Sequence, residues 1–531
     1  MRRILVAAAI CVTACLSNAA ATPGDIANEI NLELNNPTGV AWDGSHFWIA
    51  DRKTDTFYKV DPKSGAIVDS VESPGYFPSG LVWDGRLLWS TDPTEGKIYA
   101  TDVSDGTTVR TLDSPSPSPM GIAWDGEYIW ICDNRHDRIA KIDPGDGTTI
   151  VSFPSPAKDP RGITMGGSYL WCSDRLRDEI HMIDPSTGIV VMTLDAPGPF
   201  CWGLTWKDKK LVNIDYQKDA VFEIIVKDGL TYKTFSPRRA AVDFSTEAII
   251  LGEGRIESLD ISYAIPSDRP NQKLLSEPIF EPAPSRSERD LWNQPIAVFH
   301  FEDLDPPKSV DVTMKVSLET SAIRYFVYPD EVGSKIPDDI AKRYLADDTK
   351  YDIHNAYIED IIKNVVGDEK NLYWRARKLY QYLIENMEYE LAGGWNTAPT
   401  VLERGNGSCS EYSFSYIALC RAAGVPARYV GSLVVRGDDA SYDDVFHRWN
   451  EIYLPGYGWM PVDANAGDRD LPAEQAAAFG GISNRFLITT EGGGGSEYLG
   501  WSYNHENKWI SSGKCSVRFE AIAEWEPLEK N

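Results

Sequence analysis

Cysteine is scarce in this chain, and positive charge is in deficit. Eight cysteines and seven histidines are spread over 531 residues, with no Cys-x-x-Cys, His-x-His or His-Glu-x-x-His spacing. The usual zinc sets are therefore missing, as is the cysteine density of a disulfide-stapled scaffold. Lys and Arg number 52 against 79 Asp and Glu, a formal charge of −27. A polyanion of that size repels nucleic acid and anionic lipid, so nucleic-acid partners are excluded. Beyond the N-terminus no apolar run is long enough for a transmembrane segment. Walker loops and Rossmann glycine patterns are also missing, and no cofactor is expected. Asp463-Ala-Asn465-Ala-Gly467-Asp468 resembles a calcium loop only superficially, because its glycine is misplaced, and no metal is assigned.

The N-terminus has the three parts of an export leader: Arg2-Arg3, an apolar run Ile4–Ala14, and small residues up to Ala21. Cleavage after Ala19-Ala-Ala21 competes with a lipoprotein-like box, Val12-Thr-Ala-Cys15, that would leave a lipid anchor at Cys15. The first is favoured because the second leader would be unusually short. Either predicts a periplasmic or extracellular protein, with residues 1–21 as signal peptide. Six cysteines then remain: Cys132, Cys172, Cys201, Cys409, Cys420 and Cys515.

Residues 22–236 repeat themselves. Gly39, Gly80, Gly121, Gly162 and Gly203 stand 41 residues apart, and Asp51, Asp92, Asp133, Asp174 and Asp215 keep the same period. Trp48, Trp89, Trp130 and Trp171 share it, with Val212 in the fifth unit. A 41-residue unit of short strands with glycine at its hairpins has the size of a propeller blade. Five blades are counted, with a sixth, degenerate one left open, and the alternation of Ile30, Leu32 and Leu34 suggests a strand that closes the ring. The Asp column reads either as an acidic ring or as five turn caps, the second being preferred. The array resembles NHL- and YVTN-type β-propellers, which implies a protein or glycan ligand for this domain.

Residues 237–332 read as a β-rich domain that carries no chemistry. Helical patterning follows, and Asp368 is expected to cap a helix with the apolar stripe Leu372, Ala376, Leu379, Leu383 and Met387. Gly492–Gly495 reads as a flexible turn, and residues 491–531 as closing strands on the preceding core.

That core, residues 333–490, holds the chemistry. Gly407-Ser-Cys409-Ser-Glu-Tyr412 runs into a helical segment, and a thiol at a helix start has its pKa lowered by the unpaired N–H groups and the dipole. His447 lies on an alternating strand, His447-Arg-Trp-Asn-Glu-Ile-Tyr-Leu454, and Asp463 ends a second strand after the turn Pro455–Gly458. Cys, His and Asp are the groups an acyl-transferring thiol needs. Arg421, Arg428 and Arg448 are expected to pair with local carboxylates.

These blocks, with Ala423-Gly-Val-Pro-Ala-Arg-Tyr-Val-Gly431 and Gly458-Trp-Met-Pro-Val-Asp463, resemble the transglutaminase-like, papain-like α+β core. The resemblance implies Cys409 as nucleophile, His447 as base and Asp463 as orienter. Trp395 is an oxyanion candidate, with packing as its alternative. The implied activity is cleavage of a protein or peptide amide through a thioester. Crosslinking acyl transfer and a non-catalytic scaffold are the alternatives.

Overall fold

The computed structural model describes residues 21–391, 395–435 and 440–528. The leader through Ala20, with Cys15, lies outside the described residues. Five four-stranded antiparallel sheets follow one another. Four are meanders, between residues 37 and 195. The fifth combines the three strands Cys201–Lys207, Lys210–Asp215 and Ala220–Ile224 with the N-terminal strand Ile26–Asn31. Ile30 stands opposite Val221. The first strand therefore closes the ring, and no sixth blade forms among the described residues.

The glycine column has a steric cause. A Cβ on Gly39 would come within 2.8 Å of Leu81 N, and one on Gly121 within 2.7 Å of Ile163 N. One on Gly203 would meet Val40 N at 2.8 Å, which returns the ring to its first blade. Each inner strand thus touches the next backbone, and only glycine leaves room. The aspartates of the column are buried. Every one accepts at least two backbone N–H groups, as Asp51 does from Asn35, Asn36 and Lys53. They are turn caps that also pin the strand entering the blade.

In the β region, Tyr232–Ala264 forms one 33-residue strand. It bends at Gly252 and Gly254, so that the rings of Phe244 and Tyr263 lie 4.9 Å apart. Its long partner is the C-terminal strand His505–Pro527, paired from Ala240–Pro527 to Tyr263–His505. The final stretch extends the β region and also reaches the core, where Ala523–Trp525 pair with Ser441–Asp443 and Tyr503 joins the apolar cluster. Gly492–Gly494 are buried, and the Gly493 carbonyl accepts from Tyr351 and Arg421. A Cβ on Gly493 would strike Trp292 at 2.4 Å, so this run is close packing instead of a loose turn.

The core packs four helices, Ala356–Val365, Leu372–Asn386, Ala398–Arg404 and Cys409–Ala422, around an antiparallel sheet. The sheet order is Gly458–Val462, His447–Leu454, Ala427–Val434, Phe486–Gly492. The cap of Leu372–Asn386 is Asn371, whose side chain accepts from Tyr373 N and Trp374 N, and not Asp368. Gly367, at φ +56, ends the preceding helix, and the chain needs the intervening residues to turn. The fourth and fifth blades join this core: Trp171, Leu194 and Phe222 share one apolar cluster with Tyr373, Tyr380 and Phe479.

Candidate active site

Cys409 is the first residue of a helix whose side chains are buried from Cys409 through Arg421. Glu411 fixes that helix start. Its buried carboxylate accepts from Ser408 N at 3.1 Å, from Asn396 N at 3.1 Å and from Arg404 Nη2 at 3.1 Å. Burial opposes its ionisation, but these donors and the Asn396 amide hold its pKa below the usual range.

The histidine strand lies against this helix, with Asn450 Nδ2 donating to Ser413 O at 3.2 Å. A tight hairpin pairs Asn450 with Val462, which leaves Asp463 just past the strand end. From there the Asp463 carboxylate meets His447 Nε2 at 2.7 Å. Its other oxygen accepts from Ala466 N at 3.0 Å. The imidazole packs against the Trp449–Phe486 pair, with ring centroids at 5.8 and 5.7 Å, and those two rings lie 4.9 Å from each other. With Nε2 taken by Asp463, Nδ1 is the nitrogen left for the thiol. Cys409, His447 and Asp463 are thus brought together.

Their electrostatics are coupled. Burial works against a charged His447, but the Asp463 carboxylate and its hydrogen bond, with Cys409 beside it, push the imidazole up to about 10. Burial works equally against a Cys409 thiolate. The hydrogen bond and charge of His447, the Arg448 N–H and the Arg448 guanidinium outweigh it and bring the thiol below its ordinary value. Cys420, on the same helix, is pushed far up by burial, which the Tyr416 hydroxyl and the Arg421 charge do not offset. It is core.

Arg448 was not legible as part of the site. It is fully buried, its guanidinium 4.3 Å from the Tyr503 ring centroid, 4.7 Å from Tyr429, 5.0 Å from Phe414 and 5.3 Å from Trp395. Nη2 donates to Trp501 O at 2.6 Å, while Nε and Nη1 have no partner among the described residues. Of the three arginines, only Arg428 pairs with carboxylates, those of Glu451 and Glu491, both at 2.6 Å. Arg421 is spent on the carbonyls of Ala346, Ala427 and Gly493. Buried helix and strand ends offer carbonyls where no carboxylate is in reach. Strand alternation did contain the signal for Arg448: with His447 on one face, its neighbour must face the helix.

Trp395 adjoins the same aromatic box, its ring 6.4 Å from Tyr503, and its backbone has φ +50. Its contacts there are packing contacts. The thiol opens into a cleft of about 430 Å³ lined by Tyr389, Val434, Phe446, Asn465, Arg469 and Phe486. Among the described residues no cluster suited to a metal ion occurs, and no helix is long and apolar enough to cross a membrane.

Residues 359–464 match the family described as the transglutaminase-like superfamily, and Cys409, His447 and Asp463 all fall inside that window. The chain thus carries a transglutaminase-like domain, of a cysteine-enzyme class, behind an array of propeller-like sheets. An uncharacterized protein of Haemophilus influenzae is 28% identical over 131 residues, covering 20% of this chain and 35% of the relative. The chain spans about a third of that relative's length. A structure from Cytophaga hutchinsonii, provisionally assigned as a cysteine protease, aligns at 13% identity and TM-score 0.39 over 56% of this chain and all of its own. Myxococcus xanthus glutaminyl cyclase aligns at 16% identity and TM-score 0.35, covering 38% of this chain and 96% of its own.

Proposed function

We propose that the protein is an exported cysteine hydrolase of protein or peptide amides, working through Cys409, His447 and Asp463. The observation that carries this reading is geometric: Cys409 at a helix start shares one cleft with His447, whose Nε2 lies 2.7 Å from the Asp463 carboxylate, an arrangement that favours a thiolate beside a charged imidazole. The Cys409 thiolate attacks the amide carbonyl carbon, and the oxyanion is held at the helix start by the N–H of Cys409 itself. His447 delivers its proton to the departing amine, leaving a thioester. It then takes a proton from water, which attacks the thioester and frees the acid. Asp463 keeps the imidazole oriented throughout and stabilises its charged form whenever it carries the proton. Trp395 belongs to this scheme through its packing on Arg448, the cation that supports the thiolate. The leader carries the chain to the periplasm or beyond.

The test compares purified wild type with Cys409→Ala on a glutamine- and lysine-containing protein plus a tagged amine, read by mass spectrometry. Fragments or deamidation that require Cys409 are expected. Incorporated amine would instead make the protein a crosslinking acyltransferase, and no change at all would favour a scaffold.

A further inference from the structure

The thiol cleft does not end at the thiol. It shares Ala466, Arg469 and Phe486 with a second hollow of about 540 Å³. That hollow is walled by Phe235, Ala322 and Ile323 of the β region and by Ile482 and Phe486 of the core. Asp463 borders it too, so the floor is common to the hollow and to the histidine's carboxylate.

Two features mark it as more than a packing gap. Phe235 is 37% exposed, an aromatic ring left in water at the wall of an apolar hollow. That ring is also braced. Arg324 lies 5.4 Å and Lys233 5.6 Å from its centroid. Both cations bind Asp195 at the end of the fourth blade, Arg324 Nη1 at 2.9 Å. The rim charges Arg324, Arg469, Asp463 and Glu474 are of mixed sign, so the hollow selects apolar surface and not a charge.

We propose that this hollow is the subsite for an apolar side chain of a peptide substrate, next to the carbonyl that Cys409 attacks. The propeller's fourth blade, through Asp195, holds its outer wall. The proposal rests on the hydrolase reading for its chemistry. It assigns the propeller a part in specificity through Asp195, which holds Lys233 and Arg324 against Phe235, while Phe235, Ile323, Ile482 and Phe486 all lie outside the matched window 359–464. The transglutaminase-like domain brings the thiol, and the surrounding domains choose what reaches it.

Two measurements separate this subsite from the chemistry. Peptidyl chloromethyl ketones differing only in Leu or Gly beside the reactive carbon are compared by their inactivation rates, with iodoacetamide as a reagent that needs no pocket. Burying one such side chain corresponds to a Leu-to-Gly ratio on the order of tenfold or more. The ratio should fall severalfold in Phe235→Ala and in Asp195→Asn, and approach one in Ser483→Trp, which fills the hollow from an exposed position. Calorimetric binding of the corresponding Leu and Gly peptide amides to Cys409→Ala reads the hollow with no chemistry involved. Equal binding of the two peptides, or none, overturns the subsite whatever the thiol does. A thiol inert to iodoacetamide, with Leu-selective binding lost in Ser483→Trp, overturns the hydrolase reading and leaves the subsite standing.

Discussion

Asp463 holds His447 by Nε2, at 2.7 Å, so the nitrogen nearer the backbone is the one turned to Cys409. The hairpin sets this choice, because Asp463 approaches from beyond the strand end while the thiol approaches from the helix. The imidazolium thus sits between two anionic partners, and its proton is stabilised from both sides.

Alkylation of Cys409 is therefore expected to stay rapid well below the ~8.5 at which a free thiol titrates. In His447→Ala, burial becomes the dominant influence. The rate at about pH 6 should then drop by on the order of 100-fold and recover only in alkali. A wild-type profile matching that of a free thiol would contradict the charged pair.

Replacing Asp463 with Asn removes the charge that raises His447. The imidazole should titrate below its wild-type value of about 10, read by NMR. Hydrolysis should fall by about 10²–10⁴-fold. Stability follows the same group. A folded pKa above the unfolded ~6.5 gives a contribution fully present below that pH. It is lost as pH rises through about 10. The wild type should thus lose more stability than Asp463→Asn across the alkaline limb of a pH–Tm series.

Glu411→Ala leaves the N–H groups of Ser408 and Asn396 without their acceptor and strands Arg404. A loss of about 2–4 kcal/mol in denaturant unfolding is expected, with Glu411→Gln nearer 1–2 kcal/mol. Because the carboxyl pKa is lowered, its contribution is present above the unfolded value. It is lost as pH falls through the folded one. The gap between wild type and Glu411→Gln should therefore narrow in acid.

Arg448→Met keeps a long side chain in the aromatic box and removes the charge. Folding stability should change by no more than about 1–2 kcal/mol, since a buried cation is costly to desolvate. Alkylation of Cys409 in mild acid should slow severalfold. An unchanged rate would reduce Arg448 to packing.

Gly121→Ala places a methyl 2.7 Å from Ile163 N and should destabilise the ring by about 2–4 kcal/mol. Gly229→Ala, with nothing within 4 Å of the added carbon, serves as the control and should be close to neutral. Thermal unfolding of the two variants checks both.

What the sequence determined alone was whatever is written in local or periodic form. A 41-residue period gave the blades, because each repeat is one hairpin-rich unit that needs its neighbour to bury its face. Glycine-to-helix and alternating-strand patterns placed Cys409, His447 and Asp463 on elements that can meet, since helix starts and strand faces are set by a few neighbouring residues. Tertiary structure decided the rest. Burial against distant segments turned Gly492–Gly494 from a loose run into packing, and the turn after Gly367 moved the helix cap from Asp368 to Asn371. The pairing of His505–Pro527 with Tyr232–Ala264 spans some 250 residues of chain, and no local pattern encodes such a partner. For the same reason the aromatic box around Arg448 and the hollow at Phe235 are invisible in the sequence: their walls come from several segments that only the assembled fold brings within contact distance.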